Sequence, residues 1–415
     1  MQAMEVEIYR EGDSLQARVN IPDWAWYEGI VKTVKRNGQV MEFETVYGPA
    51  KMVLDTVHGE MIGTVGESNP PLNFHLKKSL RPYRPKLTMR ELSIENEGAT
   101  IGGTLVIPEH ATKPMPCAIF VHGRGCGTRN WKLWRAKKLA EYGIATFAYD
   151  KRGSKTSGFD CATSTHDLNV SDVSKLAGLM AEQPEIDQVG LISSSAGGWI
   201  VPEVAAKSPT PIAFMVTIVG PSTSVLEQQV DGGVAFAQRQ GYSQEAIEEG
   251  KEYTKLMFTK DNQEQAYERM MQLLDSAKKK GWIDWLVDDD IPESAEAMEN
   301  LWVQRFTYDP AEDLAQFEGP FLSILGEDDY VVPYQKQIER FKEIFGKAEK
   351  TNYSVRVLSA ANHGLENGPK VRSLGYVEEA KTRPYYYKYD RVVYGAFQHI
   401  VDFLGRYGFL NATQK

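Results

Sequence analysis

Short, wholly apolar runs that alternate with helix-length amphipathic stretches set the narrowest limit on the fold. Cys117-Ala118-Ile119-Phe120-Val121 has no charged position, so a strand there must be buried on both faces, as in a parallel sheet covered by helices. A helix over 131–142 follows, then a strand over 144–149, a helix over 169–183, a strand from Val189, and a strand over 212–219. Alternation at this rhythm predicts a mostly parallel sheet with helices on both faces. Just before it, 91–94 and 101–108 read as an antiparallel opening pair. After it, 320–325 and 353–358 read as further strands, with helices over 335–345 and 390–407.

The rhythm breaks between 224 and 311, where the pattern is helical only. Tyr267, Met270, Met271 and Leu274 recur at helical spacing beside Glu268, Arg269, Asp275 and Lys278. Trp282, Trp285 and Trp302 fall in the same stretch. A helical insertion between two strands is expected to lie as a lid over the carboxyl edge of the sheet, where open α/β sheets bind ligands. The alternative is a packing element that never meets substrate.

Residues 1–80 differ, with short runs of alternating polarity such as Gln39-Val40-Met41-Glu42-Phe43-Glu44 and a hairpin signal at Asn37-Gly38. They predict a small β-rich domain in which Trp24, Trp26 and Tyr27 serve core or interdomain packing, with a recognition surface the alternative. The segment 81–86, with Pro82 and Pro85, reads as a linker. The expected organisation is therefore a β-rich domain at 1–80, a linker at 81–86, a catalytic domain at 87–223 and 312–415, and the helical insertion at 224–311.

At 415 residues with net charge −9, the chain is unsuited to a broad nucleic-acid or anionic-lipid surface. No apolar stretch is long enough to span a bilayer, and no basic region precedes an apolar core near Met1. A cytoplasmic protein is expected, or a periplasmic or secreted one if a signal peptide has been removed, working as a monomer or homodimer. The three cysteines form no C-x-x-C pair, which argues against zinc and thioredoxin-like chemistry. No metal and no cofactor is expected. Cys117 is expected to be a buried small residue; Cys126 and Cys161 are expected as two free thiols, with a disulfide the alternative in an oxidising compartment.

The stretch Val189–Ile200, VGLISSSAGGWI, carries the chemistry. A strand, a sharp turn and a helix would expose a serine as a nucleophile, provided that the positions two before and two after it are small. Ser195 has Ser193 and Gly197 there; Ser194 would place Ile192 at the crowded position, and Ser193 would place Leu191. Ser195 is therefore the expected nucleophile, although Ser193 stands where G-x-S-x-G has its first glycine.

A serine hydroxyl needs a base, and the base an orienting carboxylate. Glu327, Asp328 and Asp329 follow one later strand and His363 the next, so the order is serine, acid, histidine. Asp329 is preferred because the apolar turn Val331-Val332-Pro333 can fix its direction; Asp328 is the alternative. Backbone donors for a developing oxyanion are expected from the N–H of Ala196 and from the loop His122-Gly123-Arg124-Gly125-Cys126-Gly127, at Arg124 or else Gly125. The Arg124 side chain is left open between an anionic substrate group and a surface ion pair.

Taken together, His122-Gly123-x-Gly125, Asp150-Lys151-Arg152-Gly153, Ser195-Ala196-Gly197-Gly198, Gly326-x-x-Asp329 and His363 resemble the α/β-hydrolase superfamily. The chain is most similar to bacterial carboxylesterases with a β-rich N-terminal domain, related to the dienelactone hydrolase and prolyl-oligopeptidase branches. The resemblance covers roughly 87–406 and implies a serine esterase acting on a small-molecule ester, with Asp150 and Arg152 as structural residues. A peptidase or an acyl-CoA thioesterase or acyltransferase shares the same machinery, but about 80 residues cannot make a peptidase's propeller. A dinucleotide-binding reading of Gly123-x-Gly125 meets Thr128 at the third glycine position and leaves Ser195, Asp329 and His363 without a purpose. A scaffold with a dead site would leave the same series unexplained.

Overall fold

The computed structural model describes residues 5–11, 13–21, 26–30, 33–45, 48–66, 72–78, 86–109, 111–154, 160–161, 164–369, 393 and 395–410. Trp24, the linker positions 81–85 and the start of the expected last helix at 390–392 lie outside the described residues. The chain divides into two compact units, Met1–Lys86 with Glu366–His399 and Leu87–Leu365 with Ile400–Lys415.

The first unit is β-rich. Strands β1 (Glu5–Glu11), β2 (Ser14–Ile21) and β3 (Trp26–Ile30) form one antiparallel sheet. A second, five-stranded meander contains β4 (Thr33–Asn37), β5 (Val40–Thr45), β6 (Gly48–Asp55), β7 (Glu60–Val65) and β8 (Leu72–Lys77). One face of the meander buries Met41, Phe43, Ala50, Met52, Met61 and Val65 together with Ala17 of β2, as period-two alternation requires. The expected hairpin is present, but Asn37 pairs with Val40 and Gly38 takes φ +61°. The turn residues are therefore Gly38-Gln39, one position later than the Asn-Gly signal implies.

The second unit is built on an eight-stranded sheet. It opens with the antiparallel pair β9 (Leu87–Asn96) and β10 (Ala99–Pro108), followed by β11 (Met115–Val121), helix α1 (Asn130–Ala140), β12 (Ala145–Tyr149) and α2 (His166–Ala181). Next come β13 (Ile186–Ser194), α3 (Gly197–Lys207) and β14 (Ile212–Ile218). The helical stretch contains α4 (Val225–Gln240), α5 (Gln244–Leu256), α6 (Gln263–Lys280), α7 (Trp302–Arg305) and α8 (Ala311–Gln316). The unit closes with β15 (Phe321–Gly326), α9 (Tyr334–Lys347), β16 (Tyr353–Leu358) and the part from Ile400 onward of a helix whose described span, α10, is Ala396–Arg406.

The strand order is β16-β15-β14-β13-β11-β12-β10-β9, parallel from β16 to β12. This is the mostly parallel sheet that the apolar runs predict, with Ile119, Phe147, Leu191, Met215 and Phe321 in its core. Helix α2 starts three residues before the expected Asn169 because Thr165 caps it, its hydroxyl accepting from the Leu168 N–H at 3.3 Å.

The helical stretch has its own core of Tyr253, Met270, Leu273, Trp282 and Met298. Helix α4 begins with a capping box between Ser224 and Glu227. Trp282 is fully buried in that core and Trp285 packs against it. Those two tryptophans fill the interior of the insertion; Trp302 packs against the same core and, of the three among the described residues, is the one that meets Arg124 in the loop after β11.

Candidate active site

The site forms at the carboxyl ends of β11 and β13 on one side of β14 and of β15 and β16 on the other. Val121 is in register with Ser193, so the residues following each strand emerge together. Ser195 adopts φ +52°, a left-handed conformation that costs a side-chain-bearing residue of order 1–3 kcal/mol and that the surrounding structure must impose. Its N–H donates to the Ile218 carbonyl at 2.9 Å, and its carbonyl accepts from the Gly198 N–H at 2.7 Å. A Cβ at Gly197 would stand 2.9 Å from the His122 carbonyl and 2.9 Å from Ser193 Cβ, so position 197 must be glycine. Ser193 fits its crowded position because its hydroxyl tucks under the strand, donating to the Val216 carbonyl at 3.4 Å.

His363 Nε2 lies 2.9 Å from Ser195 Oγ, and His363 Nδ1 lies 2.8 Å from Asp329 Oδ2. Asp329 is 5% exposed, and its other oxygen accepts from the N–H groups of Val331 at 2.8 Å and Val332 at 3.1 Å. The apolar turn thus orients the carboxylate. The neighbouring acids go elsewhere. Asp328 pairs with Arg239 at 2.7 Å, and Glu327 accepts from the Ser359 hydroxyl at 2.7 Å and the Ala360 N–H at 2.9 Å, bracing the loop that carries His363.

The loop after β11 approaches the elbow closely. A Cβ at Gly123 would be 2.9 Å from the Ser194 carbonyl and 3.0 Å from Ser195 Cβ. Among the described residues, neither the Arg124 N–H nor the Ala196 N–H donates to a protein acceptor. Both donors proposed for the oxyanion are left available. The Arg124 guanidinium stands 4.2 Å from the Trp302 ring centre and 3.8 Å from the Asp289 carboxylate. Asp290, whose carboxyl is pushed up by burial, accepts from Trp302 Nε1 at 3.3 Å. The side chain left open between a substrate anion and an ion pair is thus engaged by the helical stretch.

Three cationic or ionisable groups lie near the elbow: Lys132, which is in none of the sequence motifs, and Lys151 and His122, which belong to those motifs but have no expected role of their own. Lys132 Nζ donates to Ser194 Oγ at 2.8 Å, and burial pulls its ammonium down to about 7. Lys151 Nζ donates to the Gly123 carbonyl at 2.7 Å. His122, 3% exposed, donates from Nε2 to the Tyr149 carbonyl at 2.8 Å. Burial, with the nearby Lys132 charge, lowers His122 from 6.5 to about 4. Between those two values the unfolded chain takes up a proton that the folded chain refuses. Stability from this group is therefore fully present above pH 6.5 and is lost as pH falls toward 4, by about 3 kcal/mol. Urea titrations at pH 7 and pH 4.5 are expected to show that loss in the parent and most of it gone in His122→Gln; equal losses in both would assign it to other groups.

Cys126 and Cys161, expected as free thiols, form a disulfide with their Cα atoms 5.3 Å apart. The sequence separates them by 35 residues; only the meeting of the loops after β11 and β12 brings the sulfurs together. Cys117 is a buried free thiol. Among the described residues no cluster of histidine, cysteine and carboxylate side chains could hold a metal ion, and no helix is long and apolar enough to cross a membrane.

With the parallel sheet and this site in view, the alpha/beta hydrolase family model matches residues 118–368, and the chain belongs to that family. Among curated proteins, it is 23% identical over 287 residues to esterase EstD of Thermotoga maritima, a match covering 66% of this chain and 61% of EstD. The chain thus spans 61% of that relative's length. Among solved structures it is similar to the alpha/beta hydrolase GrgF of Penicillium sp. sh18, at TM-score 0.44 and 15% identity over 77% of this chain and 99% of GrgF. It is also similar to the Pyrococcus furiosus esterase Pf2001, at TM-score 0.42 and 14% identity over 79% of this chain and 94% of that one.

Proposed function

We propose that this chain is a serine hydrolase that cleaves carboxylic esters of small or medium acyl or aryl groups. Ser195 Oγ attacks the ester carbonyl while His363 Nε2 takes its proton, and Asp329 holds the imidazole in the tautomer that leaves Nε2 free to accept. The carbonyl oxygen becomes negative and is met by the N–H groups of Arg124 and Ala196. Collapse expels the alcohol, protonated by His363, and leaves an acyl group on Ser195. A water deprotonated by His363 then attacks the acyl-enzyme, and the carboxylic acid departs. The helical segment 224–311 serves as a cover for this edge, reaching the oxyanion loop through Trp302 and Asp289.

The observation that carries this reading is the unbroken relay of 2.9 Å and 2.8 Å from Ser195 through His363 to Asp329. The similarity to an esterase supports the ester class. A panel of p-nitrophenyl esters of rising acyl length, assayed beside a prolyl amide and an acyl-CoA, tests it. Turnover is expected on the esters, greatest for short or medium chains. Preferential turnover of the amide or of the acyl-CoA would replace the esterase reading with a peptidase or thioesterase one.

A further inference from the structure

Asp150-Lys151-Arg152-Gly153 contains one side chain that the triad does not use. Asp150 accepts from Arg129, through its backbone N–H at 2.8 Å and Nε at 2.9 Å. Arg152 is paired with Asp172. Lys151 lies between them, 6% exposed, and among the described residues its ammonium has one hydrogen-bond acceptor, the Gly123 carbonyl at 2.7 Å. Burial draws that ammonium down to about 8. A buried cation compensated by one carbonyl and the attraction of the Asp172 charge is expensive, and an apolar side chain of the same length would fill the space at lower cost.

What the contact does follows from the planarity of the peptide. The bond between Gly123 and Arg124 is trans, so the Arg124 N–H points opposite to the Gly123 carbonyl. An ammonium anchored on the carbonyl therefore fixes the direction of the N–H. The other end of the loop is held by the same residue, since the Lys151 N–H donates to the Gly127 carbonyl at 2.8 Å. The Ser154 hydroxyl accepts from the Gly127 N–H at 2.8 Å, and Cys161 is bonded to Cys126. The segment after β12 thus clamps the loop after β11 at several points, and Lys151 grips the peptide nearest Ser195.

We propose that Lys151 is a positioning residue of the oxyanion site, its ammonium turning the Arg124 N–H toward the oxygen that becomes negative when Ser195 is acylated. The proposal rests on the serine-hydrolase reading above. It assigns Lys151 no contact with substrate and no proton transfer; the lysine acts through the peptide.

The test compares the parent with Lys151→Met, Lys151→Arg and Ser195→Ala, using p-nitrophenyl butyrate as substrate and an aryl trifluoromethyl ketone as inhibitor, because the ketone's serine adduct carries the oxyanion. Lys151→Met is expected to lower kcat/KM by roughly 10–100-fold, less than outright removal of a donor because the N–H is misdirected and not deleted. Ketone affinity should weaken by a similar factor, with KM within about twofold and the melting temperature little changed. Lys151→Arg, which returns N–H donors at similar reach, should restore most of both losses. Should the methionine variant fail to fold, Lys151→Gln, with a shorter neutral donor, is read in the same assays and is expected to show intermediate losses. Parent-like turnover and ketone affinity in the methionine variant, or in the glutamine variant taken in its place, would overturn the proposal. So would lost turnover with unchanged ketone affinity. Ser195→Ala separates the two levels: if it keeps its activity, the serine-hydrolase reading fails; if it is inactive while Lys151→Met matches the parent, only the role of Lys151 fails.

Discussion

Ser195→Ala and His363→Ala are each expected to reduce ester turnover by roughly 10⁴- to 10⁶-fold, about 5–8 kcal/mol of lost transition-state stabilisation, with the fold intact. The size of the effect follows from how the three side chains work as a unit. A serine without its base is a weak nucleophile, and a base without its carboxylate adopts the wrong tautomer. The double variant should therefore be little worse than either single one. Asp329→Asn should lose about 10⁴-fold, while Asp328→Asn, whose parent carboxylate faces Arg239, should stay within a few-fold of the parent. Steady-state kinetics with p-nitrophenyl esters, together with fluorophosphonate labelling of the active-site serine, measure these differences. Retention of activity by Ser195→Ala would mean that another group is the nucleophile, and the adjacent Ser194 would be tested next.

Arg152→Met should have the largest effect on stability, and almost none on chemistry. Arg152 and Asp172 are 1% and 2% exposed and form a charge-paired contact, with Arg152 also donating to the carbonyls of Asn96 at 2.8 Å and Glu97 at 3.2 Å. Removing the guanidinium takes the paired charge from a buried carboxylate, which keeps the Asn96 Nδ2 donor at 2.7 Å, and a donor from two carbonyls, a loss of about 3–5 kcal/mol. In a unit of this size, that lowers the melting temperature by on the order of 10 °C. Replacing Asp172 by leucine in the same chain should recover part of the loss, because the unpaired charge then disappears with its partner. Turnover per labelled Ser195 should remain within about threefold. An unchanged melting temperature in Arg152→Met would show that the pair contributes nothing to the folded state.

The residues differ in how readily they can be read from the chain. The run 117–121 announces a doubly buried strand because every position is small or apolar, and burial is a local demand on composition. Ser195 stands out among three serines because only its flanks are small, and the contacts a Cβ would make at Gly197 give that rule its steric content. Glu327, Asp328 and Asp329, by contrast, are near equivalents in the sequence. Their partners are His363, Arg239 and the Ser359–Ala360 turn, and each partner arrives from a different element. Lys132 and Arg239 are ordinary charged residues in ordinary segments, and no spacing rule marks them; Lys151 sits in the motif Asp150-Lys151-Arg152-Gly153, but nothing in that motif points to the Gly123 carbonyl. The disulfide likewise joins two loops whose meeting depends on strand order.

Periodicity, glycine placement and the succession of serine, acid and histidine were determined by the sequence alone, because each depends on the sterics and polarity of a few adjacent positions. Which charged group meets which, and where the tryptophans of the helical stretch go, were decided only by the tertiary structure. Ser195 and His363 are 168 residues apart in the chain. A 2.9 Å contact between them is a property of the register of the whole parallel sheet, to which every strand contributes and which no single segment encodes.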